Sequence, residues 1–151
     1  MQARSLRWLM NVWPPYLFAG IRVREIARDF RFARVELRMG LTNRNYVNVH
    51  FGGSLFAMAD PFYMLMYIKN LGPDYVVWDK AAEIEFVRPG RGRVWAEFRL
   101  DEADLERARM ETAAGQRFLV RHPVEVRDQA GELVASVQRT LHIRRKSRPA
   151  A

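Results

Sequence analysis

The stretch that decides the fold is Asn43–Leu71, NRNYVNVHFGGSLFAMADPFYMLMYIKNL. After Gly52-Gly53 its residues are apolar in every helical direction, with one carboxylate, Asp60, in the middle. A helix apolar all round is a buried helix. An ionised carboxylate inside one is costly unless it is paired, hydrogen-bonded or put to use. The helix is expected to open at Gly52-Gly53, run to about Asn70, and stop at Gly72-Pro73-Asp74. Pro61 removes a helical hydrogen bond and is expected to kink it. Just before it, Thr42–Asn48 carries three asparagines and reads as a polar loop.

Working outward, Ile21–Ala27 and Arg31–Met39 read as strands. In the second, Ala33, Val35, Leu37 and Met39 alternate with Arg34, Glu36 and Arg38. Arg4–Val12 reads as an amphipathic helix, with Leu6, Leu9, Met10 and Trp13 set against Arg4 and Arg7, and Pro14-Pro15 stops it. It is expected to pack on the domain as a lid, although Trp8 and Trp13 also suit a membrane surface. Downstream, Tyr75–Val87 and Val94–Leu100 alternate on either side of Pro89-Gly90-Arg91-Gly92 and read as a hairpin. Asp101 is a candidate N-cap for a short polar helix ending near Gly115. A last hairpin turns at Asp128–Gly131: Phe118, Val120, Val124 and Val126 lead in, and Leu133, Ala135, Val137, Leu141 and Ile143 lead out. His122 falls on the apolar parity and reads as a satisfied core histidine. Pro123 suggests an edge or a bulge.

This order of elements gives an α+β fold, one antiparallel sheet wrapped around one long central helix. A single sheet does not cover a helix apolar on all sides, so a second copy of the chain is expected, in a homodimer or homotetramer. The 151 residues suit one domain, 1–151, with residues 1–17 as a helical extension and 144–151 as a basic tail.

Composition excludes several functions. Cysteine is absent, which removes disulfides, thiolate metal sites and cysteine nucleophiles. The three histidines, at 50, 122 and 142, have no metal-site spacing, so no metal is expected. The formal charge of +8 invites nucleic acid, an anionic membrane or a polyanionic small ligand. The arginines are nevertheless scattered through strands, and the one run, Arg144-Arg145-Lys146 with Arg148, lies at the tail, so no nucleic-acid partner is expected. The apolar start is broken by Asn11 and Pro14-Pro15 and lacks a signal-peptide cleavage pattern. Leu55–Ile68 is too short to span a bilayer. A cytoplasmic location with no membrane span is expected.

The residues also resemble a family. Asn45, then Gly52-Gly53 opening the central helix, then Asp60 on that helix, resembles the hotdog-fold acyl-CoA thioesterases of the PaaI-like group. Asn45 precedes Gly52 by seven residues and Asp60 follows it by eight, the spacing of that family. The runs WPPYLFAGIRV, HFGGSLFAMADPFYM and YVVWDKAAEIEF are similar to an uncharacterised thioesterase-like branch of the same fold. The resemblance implies thioester hydrolysis, with coenzyme A arriving as part of the substrate and no separate cofactor. It also places Asp79 where relatives carry a Ser or Thr that assists the water; an ordinary strand-edge carboxylate paired with Lys80 is the other reading. Two departures stand out. Phe51 replaces the histidine that usually precedes the glycine pair, with His50 one place earlier, and Pro61 directly follows the acid.

The chemistry can be argued without the family. Backbone N–H groups at a helix start are unpaired and lie at the positive end of the dipole. Gly52 lets a thioester oxygen approach them closely. Asp60 is expected in an apolar setting, which would suit it to act as general base or nucleophile. Asn45 can orient the water or the thioester. Gly52 and Asp60 stand roughly 12 Å apart along one helix at about 1.5 Å per residue, too far to meet at one carbonyl. The site is therefore expected to combine Gly52 and Asn45 of one protomer with Asp60 of another. Arg88, Arg91 and Arg93 surround a glycine-rich turn and either bind the phosphates of coenzyme A or belong to an ordinary solvated turn. Phe56, Phe62, Tyr63, Met64 and Met66 are candidates to line an acyl pocket favouring medium or long chains or aryl groups. Two other functions compete. A dehydratase is suggested by the likeness of HFGG to the HFPG of acyl-carrier-protein dehydratases, but the position that should hold an acid is Met64. The alternative is a non-catalytic acyl-CoA-binding or structural hotdog protein, in which Asp60 is a structural acid.

Overall fold

The structure is a computed structural model that describes residues 1–146. Its elements are α1 (Ala3–Val12), α2 (Pro14–Ala19), β1 (Ile21–Ile26), β2 (Phe32–Arg38), α3 (Gly52–Ala57), α4 (Phe62–Leu71), β3 (Tyr75–Phe86), β4 (Arg93–Arg99), α5 (Glu102–Glu111), β5 (Arg117–Asp128) and β6 (Leu133–Arg145). The last five residues of the expected basic tail lie outside the described residues. All six strands join one antiparallel sheet in the order β1-β2-β4-β5-β6-β3. The α+β expectation holds.

Alternation places the core. Val35 and Leu37 of β2, Val94 and Phe98 of β4, and Leu141 and Ile143 of β6 are all buried on one face of the sheet. The Phe62 ring of α4 meets the Phe98 ring at 4.6 Å. Phe62, Tyr63 and Met66 are thus buried core, which removes the ground for reading them as the lining of an acyl pocket. His122 is the satisfied core histidine expected of its parity: its Nε2 lies 2.9 Å from the Tyr67 hydroxyl, and its ring stacks on Tyr63 at 4.2 Å. Asp101 caps α5 in a reciprocal capping box with Asp104.

Four expectations are corrected. The strands around Pro89 are no hairpin. β3 pairs only with β6, at one edge of the sheet, whereas β4 pairs with β2 and β5. Alternation reports which face a residue takes, not which strand it pairs with, and the connection between β3 and β4 crosses over β5 and β6. Pro14-Pro15 ends α1 but also opens α2, because proline fits the first helical turn. Of the apolar residues assigned to the inner face of α1, Leu6 and Met10 are buried while Leu9 and Trp13 are exposed. Pro123, by contrast, marks a local edge as expected. It lies past the last β4 partner of β5, since those strands pair only over Val94–Ala96 and Val126–Asp128.

The fourth correction concerns the central helix, which is broken rather than kinked. α3 ends at Ala57 and α4 starts at Phe62. Pro61 has no N–H to give to the Ala57 carbonyl. That oxygen instead accepts from the Asp60 N–H at 3.2 Å and from the Tyr16 hydroxyl of α2 at 3.3 Å. The break swings Asp60 out of the helix barrel, and its side chain is 57% exposed. Burial in an apolar helix is therefore not what conditions this carboxylate.

Candidate functional site

At the break, Asp60 reaches a residue that the sequence reading passed over. Arg139 of β6 donates from Nη2 to Asp60 Oδ1 at 2.7 Å. The same Nη2 lies 2.6 Å from Asp79 Oδ1 of β3. The Arg139 side chain is 3% exposed, and its guanidinium sits 5.9 Å from the centre of the Phe56 ring. Asp79 stands at a β-bulge, where the β3–β6 register shifts between Asp79 and Ala81. Its partner is therefore Arg139, and the expected pairing with Lys80 does not form. The contact to Asp79 lacks hydrogen-bond geometry, so Asp79 Oδ1 and Arg139 Nε are buried without hydrogen-bond partners among the described residues. Burial pushes the Asp79 carboxyl above its ordinary range, with neighbouring Asp60 adding to the push and Arg139 opposing it. The Tyr16 hydroxyl is raised too, by burial first and by Asp60 second.

A second feature lies at the other end of α3. Asn45, His50, Gly52, Phe86, Arg88 and Gly90 line a groove of about 410 Å³. The loop that shapes it is tied down by local bonds. Asn43, buried, accepts from the Gly40 N–H at 2.7 Å and donates to the Ala19 and Arg38 carbonyls at 2.7 and 2.6 Å. Asn45 Oδ1 accepts from the N–H groups of Val47 and Val49, each at 3.1 Å, so the amide nitrogen is the end left for a ligand. His50 Nε2 lies 3.2 Å from the Gly92 carbonyl, and burial lowers the imidazole's pKa against the opposing effect of that bond. Ser54 N–H already closes onto Phe51 O at 2.9 Å, while the Gly52 and Gly53 N–H groups make no hydrogen bond among the described residues. The Phe86 ring rests on Gly52, where a Cβ would come within 2.9 Å of its tip.

One chain therefore gathers the expected residues into two groups. Asp60 joins Asp79, and Asn45 joins Gly52 and Arg88. Neither aspartate lines the Gly52 groove. Asp79 and the groove's Phe86 are seven residues apart on β3, roughly 23 Å at about 3.3 Å per residue. The three arginines do not converge. Arg88 bonds Asp128 and Glu132 at 3.1 and 3.2 Å, Arg91 donates to the Asn48 carbonyl at 2.8 Å, and Arg93 is exposed on β4 opposite Arg38. Among the described residues no group of three His, Asp or Glu side chains is placed to hold a metal. Among the described residues no helix is long and apolar enough to cross a membrane.

Arg139 left a signal in the sequence. Leu133, Ala135, Val137, Leu141 and Ile143 share one parity, and Arg139 occupies the same parity between them. A charge on the core face of a strand calls for a partner, and the two aspartates supply it.

Solved structures share this architecture. A Pseudomonas aeruginosa protein of unknown function, described as a probable thioesterase, superposes with a TM-score of 0.82 at 19% identity, over 96% of this chain and 97% of that one. A Haemophilus influenzae thioesterase gives 0.69 at 14% identity over 100% and 96%. The E. coli PaaI protein from the phenylacetic acid degradation operon gives 0.63 at 17% identity over 95% and 92%. The fold is therefore the hotdog fold of thioesterase-like proteins, as the resemblance to the PaaI-like group implied. No curated protein matches the sequence. Residues 2–143 match the family described as Domain of unknown function (DUF4442), and the chain belongs to that family.

Proposed function

We propose that the protein is an acyl-CoA thioesterase whose site is completed by two copies of the chain. The observation that carries this reading is the convergence of Asp60 and Asp79, from separate elements, on one buried arginine. Arg139 fixes the position of Asp60 while leaving it open to solvent, so that its free oxygen can hold a water or attack directly. In the hydrolytic route, Asp60 takes a proton from water as the oxygen attacks the thioester carbon. The carbonyl oxygen gathers charge against the free N–H groups of Gly52 and Gly53. The C–S bond then breaks, and the sulfur of coenzyme A leaves with the proton. Asn45 offers its amide to the thioester and Asp79 steadies the water. Arg91 and Arg93 offer positive charge to the phosphates, and Arg88 can add to it only by leaving Asp128 and Glu132. Coenzyme A enters as part of the substrate, which fits a cytoplasmic location.

The pairing of copies is supported by β3. It is a 12-residue strand at the edge of the sheet, and Trp78 and Phe86 are exposed on it. A long edge strand of this kind is a template for another strand. Two β3 strands running antiparallel across a two-fold axis would carry the Asp79 end of one copy toward the Phe86 end of the other, and with it Asp60 toward Gly52.

The test begins with hydrolysis of a panel of acyl-CoA thioesters by the purified chain. Asp60→Asn should lower turnover by about 10²–10⁴-fold, the scale of general-base loss, with thermal unfolding little changed. If Asp60→Asn instead loses the fold along with hydrolysis, the aspartate is structural and a non-catalytic acyl-CoA-binding protein is the better reading. Gly52→Pro removes one oxyanion N–H and should also impair turnover. When these two variants exchange subunits in equal mixture, about half the dimers are mixed and each holds one intact site, so activity should return to roughly a quarter of wild type. Exchange without recovery would rule out the shared site.

A further inference from the structure

We propose that α1 and α2 form a docking surface for an anionic lipid bilayer, on which the protein sits without crossing it. The large apolar side chains Trp8, Leu9, Val12, Trp13, Leu17 and Phe18 are all exposed on these two short helices. Trp8 is 67% exposed and Phe18 66%. This is not the face that holds the helices in place. Leu6, Met10 and Tyr16 bury the inner side, and Asn11 anchors α1 to β1 through its amide, which donates to the Val23 carbonyl and accepts from the Val23 N–H. At about 100° per residue, Trp8 and Val12 point away from Leu6 and Met10. The helix is thus apolar on two opposite sides, one facing the sheet and the other facing outward.

Charge selects the occupant. Residues 1–24 contain four arginines, at 4, 7, 22 and 24, and no aspartate or glutamate; the first acid is Glu25. Arg7 donates to the Arg24 carbonyl and Arg22 to the Asn11 carbonyl, so these cations are gathered around α1. Arg24 is held by Glu36 of β2, which leaves Arg4, Arg7 and Arg22 as the cations beside the aromatic rings. Tryptophan and phenylalanine beside arginine match the interfacial zone of a bilayer with negative headgroups. There indole rings sit at headgroup depth, and each basic side chain gains from the surface potential. A second copy of the chain is the weaker occupant. α1 and α2 lie against β1, at the opposite edge of the sheet from the β3 edge proposed for pairing. Five strand spacings separate those edges, roughly 24 Å at about 4.8 Å each. Pairing through β3 would leave the aromatic patch in solvent. The inference does not depend on the proposed thioesterase activity.

The test is flotation of the intact chain with vesicles of phosphatidylcholine carrying about 30 mol% phosphatidylglycerol, against phosphatidylcholine alone. The wild type should float with the anionic vesicles and lose binding as salt rises. Trp8→Ser combined with Phe18→Ser should reduce partitioning by about tenfold or more while leaving thermal unfolding and sedimentation unchanged. Arg4→Gln combined with Arg7→Gln should weaken binding and flatten its salt dependence, a second reading that leaves the aromatic side chains in place. Failure of the wild type to float would overturn the proposal. Flotation indifferent to both double variants would overturn it too. So would a fall in the sedimenting species of the Trp8/Phe18 variant from dimer or tetramer to a smaller one, which would make the patch a contact between copies.

Discussion

Two charged clusters in this molecule are near mirror images. On the β1–β2 side, buried Glu36 is held between Arg24 and Arg38: one acid and two cations. On the β3–β6 side, buried Arg139 is held between Asp60 and Asp79: one cation and two acids. In each, the central side chain is almost wholly buried and the flanking ones are more open. They differ in how completely they are satisfied. Glu36 accepts from Arg24 at 3.0 and 2.9 Å through both oxygens, and from Arg38 as well. Arg139 leaves its Nε without a hydrogen bond, and the buried Asp79 Oδ1, though 2.6 Å from Arg139 Nη2, meets it outside hydrogen-bond geometry. A saturated pair is a strut. An unsaturated one, with an excess acid open to solvent, is a candidate site. Buried groups left without partners are where function concentrates.

The largest effect expected from this contrast is on turnover. Arg139→Met keeps a long side chain in the β6 core and removes the charge that fixes Asp60. A small displacement of a reacting group can cost about 10²-fold in rate, and hydrolysis of the best acyl-CoA should fall by at least that. Stability should fall little, because Asp60 is solvated and Asp79 can take a proton in place of the lost pair. Steady-state hydrolysis alongside thermal unfolding reads both. Turnover unchanged in a folded Arg139→Met protein would make this cluster a strut like the other.

The mirror substitution should behave in the opposite way. Glu36→Gln keeps the shape but removes the charge that draws in two guanidinium groups. Its cost should be about 1–3 kcal/mol, the scale for a hydrogen-bonded charge lost from a buried position, with hydrolysis unaltered. Urea unfolding measures it. A variant as stable as wild type would show that the saturated cluster contributes no stability.

Much of this was legible in the sequence, and the gaps have a common cause. Alternation placed all six strands, and the run of asparagines before Gly52 marked the loop that builds the groove. The sequence singled out Asp60, as a charge in an apolar run, and Asp79, through the family resemblance, and the structure brings both to Arg139. What the sequence reading missed depends on long-range partners. Pro61 announces a missing hydrogen bond, but one of the donors that takes up the freed Ala57 carbonyl is Tyr16, 45 positions earlier. The strands around Pro89 carry the right faces but not their pairing, because a turn between two strands does not make them neighbours. Lys80 is next to Asp79 in sequence, but it is the extra residue of the bulge and is exposed, and no ion pair joins the two among the described residues. The cation that matters comes from β6, and only the parity of Arg139 could have revealed it.

The smallest effect is the most direct probe of the contrast, because the two clusters should bend stability with pH in opposite directions. For Glu36, burial alone would raise the carboxyl; Arg24 and Arg38 more than reverse this and hold it below its ordinary range. A group lowered on folding contributes stability that is full above its unfolded pKa and is lost as pH falls through the folded value. For Asp79, burial raises the carboxyl and Asp60 adds to it, with Arg139 opposing. A group raised on folding binds its proton more tightly in the native state. Its contribution is therefore full below the unfolded pKa and is lost as pH rises through the folded value. The difference between wild type and Glu36→Gln should accordingly shrink as the solution is acidified from neutrality. Asp79→Asn should gain on wild type as pH climbs out of the acid range, since the variant has no proton to lose. Urea unfolding of the three proteins from about pH 3 to pH 7 yields two difference curves. Opposite slopes would identify Asp79 as an acid held under tension beside Arg139. Parallel slopes would make it a second satisfied anion, and the distinction between strut and site would fail.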